Sequence, residues 1–85
     1  MSITIHRAIY KKGEKVAPIE WRIYRCNDGG IVVYPQNTAT GKKGGVGSDN
    51  TFHYLTSLAD CKRAARLCES RLFERISRHG WHRIG

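Results

Sequence analysis

The chain has 85 residues, with 15 Lys and Arg against 7 Asp and Glu, and a formal net charge of +8. That length suits one domain spanning 1–85, near the lower size at which a single core suffices, and makes a homodimer one way of burying more surface. An apolar fraction of 40% with 26% charged residues excludes a disordered chain, and the sign of the charge points to a polyanionic partner.

Met1 leads directly into Ser2-Ile3-Thr4-Ile5, without the basic n-region and apolar h-region of a secretory leader. No segment approaches the roughly 20 apolar residues of a membrane span. Cys26, Cys61 and Cys68 are an odd number without framework spacing, which favours a reducing cytosol over a disulfide scaffold. The reading is a complete cytoplasmic protein with no membrane association.

Ile3, Ile5 and Ile9 alternate with Thr4, His6 and Ala8, which predicts a first strand with the isoleucines inward and Arg7 breaking the apolar side. Lys11 to Lys15 reads as a polar turn, with Pro18 limiting where pairing resumes. From Ile19 to Cys26 a second strand places Ile19, Trp21 and Ile23 on one face, and Glu20, Arg22, Tyr24 and Cys26 on the other. Asn27-Asp28-Gly29-Gly30 then suits a tight hairpin into Ile31-Val32-Val33-Tyr34. With Asp28-Gly29 as the loop, Tyr24 would face Val33, Ile23 would face Tyr34 and Arg25 would face Val32, although longer loops also fit. Pro35 would end the ladder by removing a donor.

Residues 37–50 hold four glycines around Lys42 and Lys43 without an apolar period, which reads as a flexible basic loop. Phe52, Tyr54 and Leu55 suit a short strand. Ser57-Leu58-Ala59-Asp60 has the form of a capping box and opens a helix to His79. Leu58, Cys61, Ala65, Cys68, Leu72 and Ile76 form its apolar stripe. Gly80 stops it, and Trp81 is placed to fold back. This order predicts an α+β domain, a three-stranded antiparallel sheet packed on one C-terminal helix (βββα).

The helix concentrates cations at Lys62, Arg63, Arg66, Arg71, Arg75 and Arg78 against Asp60, Glu69 and Glu74. The expected function is non-enzymatic nucleic-acid binding, with double-stranded DNA ahead of RNA. Lys42, Lys43, Arg63, Arg66, Arg71 and Arg78 are the candidates for phosphate contacts. Arg22, Tyr24 and Arg25 on the open sheet are the candidates for closer readout, because a guanidinium fork binds bidentately and a tyrosine ring stacks on a base. A sheet that reads a groove while one helix backs it is similar in layout to phage-integrase arm-binding domains, with no shared motif.

Other chemistries find less support. Gly41-Lys42-Lys43-Gly44-Gly45 lacks the leading glycine and following Ser or Thr of a Walker A loop. Cys61 and Cys68, two helical turns apart, are too distant to share a zinc ion. His6, His53, His79 and His82 are dispersed, so no catalytic, metal or cofactor site is expected. The alternative is a small protein-binding modulator, such as a phage- or mobile-element-encoded inhibitor of a host nuclease or other nucleic-acid enzyme, docking on an acidic surface. Leu67 and Phe73, outside the apolar stripe, would make that contact.

Overall fold

The computed structural model describes residues 3–25, 27, 29–44 and 57–85. Four strands, β1 (Ile3–Lys12), β2 (Lys15–Arg25), β3 (Ile31–Asn37) and β4 (His82–Arg83), form one antiparallel sheet in the order β3-β2-β1-β4. The helix α1 (Leu58–Ser77) packs on one face, so the domain is α+β as the element order predicts, with a short fourth strand added from the C-terminal segment.

Beyond Ile5, the inward side of β1 is the reverse of the isoleucine pattern. Ala8 and Tyr10 are fully buried and Ile9 is exposed, whereas Ile5 packs against the core as expected and Ile3, opposite inward-facing Ile23, is exposed at the strand end. An irregularity between Thr4 and His6 inserts Ile5 as an unpaired residue, and a one-residue shift moves every later side chain to the other face. Arg7 therefore points away from α1 instead of interrupting the core. Trp21 and Ile23 are buried as the period of β2 requires, and Ile19 is half-buried.

The β2–β3 register is one residue short of the tight-turn expectation. Arg25 pairs with Ile31, Tyr24 with Val32, Ile23 with Val33 and Arg22 with Tyr34, so residues 26–30 form the connection. Cys26 and Asp28 lie outside the described residues. Neither proline interrupts pairing: Pro18 pairs with Ile9 and Pro35 with Trp21. In each case the carbonyl accepts from a residue beyond that pairing, Thr38 N at 2.9 Å for Pro18 and Gly44 N at 2.8 Å for Pro35. Because a strand residue's N–H and C=O leave the same edge, each missing N–H also points away from the ladder that contains the proline.

The core joins Ala8, Tyr10, Trp21, Ile23, Ile31 and Val33 of the sheet to Cys61, Ala65 and Cys68 of α1, flanked by half-buried Leu72 and Ile76. Leu58, expected in that stripe, is 52% exposed, because it stands at the first turn, where the helix begins beyond the core. Ser57 caps the helix by accepting from Asp60 N at 3.2 Å. Gly80 adopts φ of +91°, and Trp81 N donates to Ile76 O, folding the half-buried Trp81 back against the core. The chain then runs along β1, where Ile84 N donates to Ile9 O at 2.8 Å and Ile9 N to Gly85 O at 3.0 Å. Among the described residues, no helix is long and apolar enough to cross a membrane.

Candidate functional site

The face of the sheet opposite α1 carries Thr4, Arg7, Ile9 and Lys11 from β1, and Glu20, Arg22 and Tyr24 from β2. Tyr34 and Gln36 of β3 extend the same surface through their pairing with Arg22 and Glu20. At its centre the Glu20 carboxylate gathers three donors. Arg22 Nη2 donates at 2.8 Å and Thr4 Oγ1 at 3.1 Å to Oε1, while Arg7 Nε lies 3.1 Å from Oε2. The Arg22 hydrogen bond, supported by Thr4 and Arg7 against a smaller effect of burial, holds the Glu20 carboxyl below its ordinary range. Two guanidiniums are thereby fixed by one carboxylate.

Residues 37–44 beside this face form an ordered turn rather than a loop without structure. Asn37 Oδ1 accepts from Ala39 N at 2.9 Å and Thr40 N at 3.3 Å, and Asn37 N donates to Lys42 O at 2.9 Å. Lys43 bridges to Gln36, and Gly44 N donates to Pro35 O. This places Lys43 Nζ 5.7 Å from the Tyr34 ring centroid, a cation–π arrangement. The rest of the glycine-rich stretch, the expected strand at Phe52–Leu55 and His53 lie outside the described residues.

Arg25 does not join this surface. It has the parity of Trp21 and Ile23, hence the helix side, and its charge acts on the Cys61 thiol. The alternation of β2 itself is the cause, since Arg25 follows Trp21 and Ile23 at a spacing of two. Arg22 stays on the open face, and Tyr24 is there too, 55% exposed.

On α1 the cations divide into two sets. Arg63 bonds Asp60, and Arg78 Nη2 donates to Glu74 at 3.3 Å. Lys62, Arg66 and Arg71 are exposed and have no salt-bridge partner among the described residues. Leu67 is 47% exposed between them. Phe73, expected to face a protein partner, instead packs on the core and stacks on Tyr10, with centroids 5.8 Å apart and planes at 16°.

Sequence reasoning also missed a buried polar cluster. Glu69 accepts from the Tyr10 hydroxyl at 2.9 Å and faces Arg83 Nη1 at 3.1 Å and His6 Nε2 at 3.5 Å. A signal for it was present: four residues after Ala65 and three before Leu72, Glu69 borders the inner stripe. Burial first, then the Glu69 bond, pushes the Tyr10 hydroxyl pKa well above its ordinary value. Cys61 and Cys68 are buried thiols, their pKa values also raised chiefly by burial. Among the described residues no group of three His, Cys, Asp or Glu is placed to hold a metal ion.

Comparisons with protein-family models, curated proteins and solved structures find no match to this chain.

Proposed function

We propose that the protein binds nucleic acid, duplex DNA ahead of RNA, as a non-enzymatic cytoplasmic domain, and that the open sheet face with the Lys42–Lys43 turn is the contact surface. One observation carries the reading. Glu20, Asp60, Glu69 and Glu74 are each already bonded to an arginine, so the carboxylates of the sheet and helix are used internally. Among the described residues, Lys11, Lys42 and Lys43 on or beside the open face have no acidic partner. Arg7 and Arg22 keep further N–H donors beyond those engaged by Glu20, and a guanidinium held in place loses less entropy when it meets a phosphate or a base edge. Tyr24 supplies an exposed ring beside them.

Fluorescence anisotropy with labelled duplex DNA and RNA tests this. The expected affinity falls steeply as salt rises, because phosphate contacts release counterions. Absent or salt-insensitive binding at low ionic strength would refute it.

Exposed Leu67 favours the second reading, a modulator of a host nucleic-acid enzyme, because a large aliphatic group among cations suits a protein contact. A stoichiometric protein captured from nuclease-treated host lysate, and lost with Leu67→Ala, would support it.

A further inference from the structure

The open sheet face and the outer surface of α1 look in opposite directions, because the helix covers the other side of the sheet. Both present cations without acidic partners among the described residues: Lys11 and Lys43 on one side, Lys62, Arg66 and Arg71 on the other. We propose that the outer surface of α1 is a second nucleic-acid site, so that one protein molecule bridges two duplex segments. This rests on the nucleic-acid reading of the sheet face.

The distribution of charge around the helix suits a groove. Lys62 and Arg66 are one turn apart and share a flank, while Arg71, five residues after Arg66, lies about 140° around the axis on the other flank. The ridge between them carries Leu67 and Ser70, together with Arg63 and Glu74, which are already engaged with Asp60 and Arg78. A helix with side chains is about 10–12 Å across and the major groove of B-DNA about 12 Å wide. Cations on both flanks therefore reach the phosphates on both sides of the groove, while the less charged ridge faces the bases. Leu67 then meets base edges such as a thymine methyl, an apolar contact available in that groove.

One duplex cannot serve both faces. Its persistence length is about 150 base pairs, so it resists folding back around a domain of 85 residues. Two basic faces on opposite sides therefore hold separate segments.

The test uses the full chain with a biotinylated duplex on beads and a second, fluorescent duplex in solution. Wild type is expected to recover the fluorescent duplex on the beads. The triple variant Lys62→Gln, Arg66→Gln, Arg71→Gln, with its fold verified by circular dichroism, should keep affinity for one duplex within about threefold yet recover at least about tenfold less of the second. Wild-type binding without recovery, or undiminished recovery by the triple variant, overturns the proposal; the latter would assign bridging to a second copy of the chain. Failure of any duplex to bind refutes the nucleic-acid reading itself.

Discussion

The Tyr10 hydroxyl donates a 2.9 Å hydrogen bond to Glu69 Oε2, joining β1 to α1 across 59 positions of sequence. The same carboxylate faces Arg83 Nη1 at 3.1 Å, so one buried acid ties β1, α1 and β4 together. The short β4 is thus held by its pairing with β1 and by a charge beneath it.

Glu69→Ala should destabilise the fold by about 3–5 kcal/mol, because it strands partly buried partners of a buried charge. Tyr10→Phe should cost about 1–2 kcal/mol, having removed one donor to a charged acceptor. Urea denaturation followed by circular dichroism measures both. A loss under about 1 kcal/mol for Glu69→Ala would show that the cluster does not secure the fold.

Alkaline pH should weaken the protein through Tyr10. Its folded pKa is raised above the ordinary 10.0, by burial first and the Glu69 bond second. Below pH 10 both folded and unfolded chains keep the proton, and the contribution is intact. Above it the unfolded chain releases the proton first, so stability falls as pH rises. Cys61 and Cys68 act with the same sign from nearer 9.0, their ordinary thiol value. Urea midpoints from about pH 8 to about pH 11 should fall less steeply at the upper end for Tyr10→Phe than for wild type.

Gly44→Ala should disrupt the Lys42–Lys43 turn. A Cβ there would lie 2.6 Å from Pro35 Cγ and 3.0 Å from its Cδ, forcing the turn or the β3 edge to shift. The expected cost is about 1–3 kcal/mol, with weaker duplex binding as Lys43 leaves the Tyr34 ring. Thermal melts and anisotropy report the two effects separately.

Arg7→Gln combined with Arg22→Gln should reduce the slope of log affinity against log salt by about 2, if each guanidinium meets one phosphate. An unchanged slope would remove the open face from the interface.

Leu67→Ala should leave stability within about 0.5 kcal/mol, since the side chain is half exposed. A change in duplex affinity below about twofold, combined with loss of a captured protein partner, would favour the modulator reading.

Local chemistry made much of this fold legible. Ser57 and Gly80 marked the helix ends, the alternation at Trp21 and Ile23 marked the central strand, and Cys61, Ala65 and Cys68 marked the inner face of α1. The candidate site was less legible. Arg22 and Tyr24 lie on the open face as the period of β2 implied, but Arg25 lies on the other, Arg7 takes its place, and Phe73 belongs to the core.

The sequence by itself determined the net charge, the α+β class and the order of its principal elements, because composition, capping and hydrophobic period act within a few residues. Only the tertiary structure decided which cations stand together and which are neutralised. A bulge at Ile5 reversed faces that simple alternation had assigned, and a longer turn after Arg25 shifted the β2–β3 register. Likewise, pairing of Glu69 with Tyr10 and Arg83 depends on elements far apart in the chain meeting in space. Side-chain period is local, whereas register and burial of charge are set by the whole sheet closing on its helix.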